Sequence, residues 1–134
     1  MLGVILVVQL VHYPLFRLVG ADTFATYQAG HMMRITWIVL PAMVVELITA
    51  VALVVWQPLG IAAWQAWTGL ALVGVIWAST GLLQVPLHKT LTTGFDPDTH
   101  RSLVATNWIR TMAWILRGAL VGWMLTALVE STPS

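Results

Sequence analysis

Four stretches of this chain, at 1–19, 30–56, 61–88 and 103–129, are almost wholly apolar, and each is close to the roughly 20 residues that carry a helix across a bilayer. Four such runs in 134 residues leave too little polar material to wet the surface of a soluble domain. Charged residues make up 8% of the chain, where a soluble domain carries about a quarter. The apolar surface must therefore face lipid. The expected fold is all-α: one transmembrane domain over 1–134, an integral-membrane four-helix bundle with antiparallel up-down topology.

The connections support this division. Between the spans lie VGADTFATYQA at 19–29, QPLG at 57–60 and KTLTTGFDPDTHRS at 89–102. Pro58 and Gly60 force a tight turn between the second and third helices. Thr93-Gly94 and Asp96-Pro97 break the third connection, and Asp98 or Thr99 is expected to cap the fourth helix. The first run has no basic leader and no small-residue cleavage site, and it contains Gln9 and His12, so it reads as a retained helix. It starts inside the apolar run, so a few upstream residues are expected to precede it.

Arg17, Arg34, Lys89, Arg101 and Arg110 gather at the helix ends that meet the first and third connections. The positive-inside rule then places those loops in the cytoplasm and both termini outside, in a multi-pass protein of the cell membrane. Trp56, Trp64, Trp67 and Trp123 are expected at the outer interface, and Trp37 and Trp108 at the inner one. The formal net charge is +1 and no basic stripe exists, so nucleic acid is not an expected partner. The chain has no cysteine, which excludes disulfides, thiolate metal sites and thiol relays. Helices one–two and three–four share a weak pattern: a His towards the end of the first member and an Arg near the start of the second.

Polar groups inside a membrane usually turn inward, to pair or to work. Counting about 1.5 Å per residue, His12, Gln84 and Arg110 lie roughly 10 Å in from the cytoplasmic helix ends, and Arg34 and Asn107 roughly 6 Å in. Each helix offers a polar stripe: Gln9, His12 and Tyr13; His31, Arg34, Glu46 and Thr49; Thr80, Gln84 and His88; Asn107, Arg110, Thr111, Trp114 and Arg117. Four stripes in one lipid-embedded chain imply a common interior. Glu46 and Arg117 lie deepest and are expected to form a buried ion pair, because an unpaired charge there costs several kcal/mol. His31 and His100, at loop ends, read more readily as interfacial.

A cluster of His12, Arg34, Gln84, His88, Asn107 and Arg110 suits an enolate, phenolate, carboxylate or quinone oxygen. A neutral His takes the proton, and Arg and Asn donors stabilise the oxyanion. No metal is expected, since no HxxxH or ExxH pair occurs and the arginines disfavour a cation. The alternative is haem, or iron or copper, held through His12, His31 and His88.

The segments HMMRITWIVLPAMVVE at 31–46 and TNWIRTMAWILRG at 106–118 resemble the small four-helix membrane proteins of the anthrone-oxygenase-like group. The resemblance implies cofactor-free oxidation of a phenolic anthrone to a quinone by dioxygen. It singles out His31, Arg34, Asn107, Trp108 and Arg110. The leading expectation is thus an oxygenase-like oxidoreductase acting on a small lipophilic substrate, with His12 or His31 as base. Arg34, Asn107 and Arg110 are then the oxyanion donors, and Gln84, His88, Trp108 and Trp114 bind substrate. The rivals are a small proton-coupled transporter using Glu46, with Trp77 and Trp114 as walls, and an accessory subunit of a larger membrane complex. A homo-oligomer is compatible with either kind of chain.

Overall fold

The structure, a computed structural model, describes residues 1–130. They form four helices, with no strand among the described residues: α1 (Leu2–Leu18), α2 (Ala21–Trp56), α3 (Ala63–Leu91) and α4 (Pro97–Glu130). Helices α2, α3 and α4 are long and apolar enough to cross a bilayer, and α1 is apolar but shorter. Large apolar side chains such as Ile48, Val55, Leu82 and Leu116 stand exposed on the outside, as do Trp37, Trp56, Trp64, Trp67, Trp108 and Trp123. A surface of that kind requires lipid around it.

α4 is the hub. It runs close beside α3 and α1, while α2 lies against α3. The core has two apolar parts. One, at the end where α1 meets α2 and α3 meets α4, is built from Tyr13, Phe16, Phe24, Leu91 and Leu103. The other, deeper along the bundle, contains Ile5, Met43, Ile76, Ala113 and Trp114. The polar side chains are concentrated between and beside these two plugs.

Prolines shape the two helices that carry much of the polar site. α1 widens into a π-turn at Val8–His12, and α3 does the same at Thr80–Gln84. Each π-turn is followed two residues later by a proline, Pro14 or Pro86. A proline has no N–H to give the carbonyl four residues back, here Leu10 or Leu82, and its ring crowds that carbonyl; a wider turn relieves both problems. The two prolines do not bring the histidines of the two helix pairs into register. His12 and Gln84 each sit two residues before the proline, and Phe16 and His88 each sit two residues after it.

Several expected boundaries differ. Residues 21–29, expected in a connection, are the first turns of α2, and only the Val19–Gly20 region separates it from α1. The segment ADTFATYQA has no proline or glycine and is rich in alanine, so it continues the helix even though it is too polar to extend an apolar window. Its Phe24 and Gln28 are fully buried. Helix α4 starts at Pro97, six residues before the expected span, and its cap is Asp96 rather than Asp98 or Thr99: the Thr99 N–H donates to Asp96 Oδ2 at 2.8 Å. Pro97 then occupies the first helical position, where its missing N–H is harmless. The Thr99 hydrogen bonds hold the Asp96 carboxyl below its ordinary value. The expected turn after α2 is present, with Gln57 in a left-handed conformation (φ 39°) closing the helix.

Candidate functional site

The site begins at the end of α1. Beyond the π-turn, Tyr13 points inward and is buried, and its hydroxyl lies 2.9 Å from His88 Nε2. The other ring nitrogen of His88, Nδ1, lies 2.8 Å from the Gln28 amide. His88 is thus clamped from α1 and from the first part of α2, with both nitrogens engaged. His12, one residue before Tyr13, faces the neighbouring direction, and its Nε2 lies 2.9 Å from His31 Nδ1 on α2. The His31 ring is 5.8 Å from the His88 ring, so three histidines from three helices form one row. Phe16 holds the row in place by edge contacts with His12 at 5.2 Å, with Tyr13 at 5.5 Å and with His31 at 5.3 Å.

α4 supplies the amide and the charge. Asn107 is fully buried; it donates to Gln9 Oε1 at 2.6 Å, while Gln9 donates to the Val104 carbonyl at 3.2 Å. This amide lock ties α1 to α4, and interhelical bonds of this type contribute roughly 0.6–2 kcal/mol each. Asn107 Oδ1 also accepts a long bond of 3.3 Å from Arg110 Nη1. Among the described residues that is the one side-chain hydrogen bond made to Arg110, although the residue is only 6% exposed. Its Nε–H is buried without a partner, and among the described residues no carboxylate lies within 4 Å of it. The guanidinium carbon rests 5.1 Å from the Trp114 ring centroid.

A cavity of about 200 Å³ opens between these groups. Tyr13, His31, Gln84, His88 and Arg110 line its polar part, and Ile35, Val39, Met43 and Trp77 belong to its apolar wall. Thr36 and Leu40 of α2 and Val85 of α3 line it as well while remaining exposed on the outside, so the cavity has a mouth towards lipid between α2 and α3. Trp77 Nε1 and Gln84 Oε1, on two residues of this lining, are also buried without partners. The arrangement offers an apolar slot, a cation without a counter-ion, a histidine face and a phenolic hydroxyl. Chemically it matches a hydrophobic ring system bearing one anionic or ionisable oxygen.

The expected site residues divide cleanly. His31, Gln84, His88 and Arg110 meet at the cavity, and Asn107 stands behind Arg110. His12 lies next to the cavity, in contact with its lining residue His31. Arg34 does not join the cluster: it is exposed, bonds back to the Gly30 carbonyl at 3.1 Å, and lines an outer groove between α1 and α2. Arg34 lines that groove and not the cavity, although Val4, Val8, His31 and Ile35 line both. Trp108 is exposed on the outside of α4, and Trp114 is buried beneath Arg110; neither lines the cavity.

The expected Glu46–Arg117 pair does not close to direct contact: no N···O distance of 4 Å or less joins the two, although the carboxylate still acts electrostatically on the guanidinium. Glu46 accepts a hydrogen bond from Trp114 Nε1 at 2.8 Å and lies 3.8 Å from the Met1 amino group. Arg117 instead donates to the Gly69 carbonyl at 2.9 Å. Gly69 permits that approach, since a Cβ there would stand 3.1 Å from Arg117 Nη1. A neighbouring backbone carbonyl thus competes for the arginine that helical depth alone assigned to the carboxylate. His100, expected at an interface, is buried at 5% exposure with Nε2 at 2.8 Å from the Tyr13 carbonyl. That carbonyl lies close to Pro14, where the regular backbone ladder is interrupted.

Gln28 and Phe16 escaped the sequence reading, and Tyr13 was placed on a polar stripe but given no role. Gln28 sat in a presumed connection, although Phe24, Gln28 and His31 repeat at i, i+4 and i+7 once the helix is extended back to Ala21. Tyr13 shared a polar face with His12 but stood in no motif. Phe16 has no polar group and belonged to none of the polar stripes. Among the described residues no group of three metal-ligating side chains has the geometry to hold an ion. Comparison with family models, with curated proteins and with solved structures found no match.

Proposed function

We propose that this protein binds a small lipophilic weak acid, phenolic or quinone-like, in the cavity beside Arg110 and removes a proton from it, as an oxygenase-like oxidoreductase of the cell membrane. One observation carries the reading: a buried guanidinium that lines an apolar, lipid-accessible cavity and has no anionic partner among the described residues. A charge in that position is costly unless something neutralises it, and a bound oxyanion does so with geometry that an arginine fork suits. His31, at the same cavity, is the proton acceptor. Tyr13 and His88 form a hydrogen-bonded pair that can donate to a second oxygen, and Asn107 positions Arg110.

In this reading the four helices cross the membrane antiparallel, with the polar end of the cavity towards the cytoplasm, and substrate enters between α2 and α3. The resemblance to the anthrone-oxygenase-like group adds dioxygen to the reaction. Loss of a proton from an activated methylene gives an enolate held by Arg110. Dioxygen then supplies one oxygen atom to the new carbonyl, and the other leaves as water with the two methylene hydrogens. The arginine lowers the enolate in energy before any oxygen chemistry begins.

The test uses 4-nitrophenol and its neutral methyl ether, 4-nitroanisole, with the detergent-solubilised protein, together with dioxygen uptake in the presence of anthrone. The expected result is a bound yellow phenolate below the phenol's own pKa, at least about tenfold selectivity over the ether, and one dioxygen consumed per anthrone. Equal binding of phenol and ether overturns the anion site. Selective phenolate binding without dioxygen uptake keeps the site and removes the oxygenase assignment.

A further inference from the structure

His31 lines two spaces at once. One is the cavity with Arg110; the other is the outer groove between α1 and α2, which His12, Tyr27 and Arg34 also line. The His12–His31 contact bridges the two, with Nε2 of one ring 2.9 Å from Nδ1 of the other. Among the described residues, His31 Nε2 and His12 Nδ1, the outward atoms of this pair, meet no hydrogen-bond partner and are not sealed from surrounding space. Two imidazoles joined through one nitrogen each, with the other nitrogen of each ring free, form a chain that conducts a proton. From these contacts we infer that His12 is a relay residue that carries the proton taken up by His31 out of the cavity to the groove between α1 and α2.

The transfer balances. Before it, His31 carries its hydrogen on Nδ1 and donates it to His12 Nε2, while His12 carries its hydrogen on Nδ1. The bound acid gives its proton to His31 Nε2. The Nδ1 hydrogen of His31 passes to His12 Nε2, and the Nδ1 hydrogen of His12 leaves for water or a lipid headgroup at the groove. One proton has entered and one has left, both rings finish neutral, and the 2.9 Å hydrogen bond has reversed its polarity. A proton moving inward from the groove resets it, as is needed when a product oxygen takes up hydrogen.

The surroundings favour this path over one through His88. Both His88 nitrogens are occupied, by Tyr13 and by Gln28, so the third ring of the row is a dead end for transfer to solvent. Phe16 lies edge-on to both relay rings and closes one side of them to water, which leaves the groove as the exit. Among the described residues the charged and titratable groups facing the pair are Tyr13 on α1, Arg34 and Tyr27 on α2, His88 on α3 and Arg110 on α4.

The inference rests on the proposed proton abstraction at His31, and the experiment separates the two. Anthrone is incubated with the protein in heavy water without dioxygen, and deuterium incorporation at its methylene is followed by mass spectrometry. An abstracted proton that cannot escape returns to the same carbon, so without the relay incorporation slows although abstraction continues. His12→Ala is expected to lower the exchange rate about 100-fold, with 4-nitrophenol affinity unchanged, and free imidazole is expected to restore much of it. His12→Gln, which keeps a hydrogen bond to His31 but cannot pass a proton, is expected to be as slow as alanine. Wild-type exchange in either variant overturns the relay while leaving the phenolate site intact. A wild-type protein that binds 4-nitrophenol selectively yet exchanges no deuterium also overturns it, and loss of selective binding overturns the underlying reading.

Discussion

Replacing Arg110 by methionine separates a functional arginine from a structural one, because the two roles predict opposite changes in stability. In the free protein the guanidinium is buried with one hydrogen bond of 3.3 Å and a contact with the Trp114 ring at 5.1 Å. The bond contributes about 1 kcal/mol and the cation–π contact about 0.5–2 kcal/mol. Burying an ion without a counter-ion costs several kcal/mol even after relaxation. The deficit means that Arg110→Met, which keeps an unbranched chain over Trp114, is expected to stabilise the free protein by about 1–3 kcal/mol. With ligand bound the sign reverses. A phenolate about 4 Å from the guanidinium gains about 4 kcal/mol at an effective dielectric constant of about 20, and removing one partner of such a pair costs about 2–5 kcal/mol. Affinity for 4-nitrophenol is therefore expected to fall about 100-fold, the equivalent of about 3 kcal/mol. Thermal unfolding tracked by tryptophan fluorescence, with and without 4-nitrophenol, reads both effects in one preparation. A methionine variant that is less stable by more than about 2 kcal/mol and binds the phenol as before would show that Arg110 holds the fold and not a ligand.

Three further predictions concern other parts of the molecule. Pro86→Ala restores a donor to the Leu82 carbonyl and removes the cause of the Thr80–Gln84 π-turn; it is expected to raise stability by about 1–3 kcal/mol and to weaken phenolate binding, since Gln84 and His88 turn away from the cavity. Reduced thermal stability in that variant would show that the π-turn does not arise from the proline. Phe24→Ala removes a fully buried ring from the segment the sequence assigned to a loop, so a loss of about 3–5 kcal/mol in unfolding free energy is expected, against almost none if 21–29 were a connection. Asp96, whose carboxyl is held below its ordinary value by Thr99, contributes stability that is complete above the ordinary carboxylate pKa and is lost as pH falls through the lowered one. Asp96→Asn keeps a capping oxygen and is expected to flatten that acid limb in a melting-temperature profile, and an unchanged limb would remove Asp96 as its source.

How much of the site was legible varies by helix, for identifiable reasons. On α4 the stripe of Asn107, Arg110, Thr111, Trp114 and Arg117 is buried along its whole length, as helical spacing predicted. That helix is regular from end to end, so spacing translates directly into direction. On α2 the same reasoning overreached: His31 faces the interior while Arg34 and Thr49 are exposed and bond to carbonyls of their own helix. A broad arc on a helix packed mainly against one neighbour includes positions at its edge, and the sequence does not say where the neighbour ends. On α1 and α3 each π-turn adds an extra residue to a turn and rotates the rest of the helix about its axis. Tyr13 and His88 consequently meet, although no simple periodicity relates them.

From the residues alone it follows that the chain lives in lipid, that it is helical, roughly where the helices lie, and that polar groups gather inside the bundle. Those conclusions depend on composition and spacing, which are properties of the chain taken one helix at a time. Partnership was decided only by tertiary structure. Glu46 bonded Trp114 rather than Arg117, Arg117 found the Gly69 carbonyl, His88 found Tyr13 and Gln28, and Arg110 met no anion among the described residues. Depth and face bring groups within several ångströms of one another, but a hydrogen bond is made or lost over a few tenths of an ångström. Distances that fine are set by where the helices touch, how the prolines bend α1 and α3, and which backbone carbonyls stand nearest.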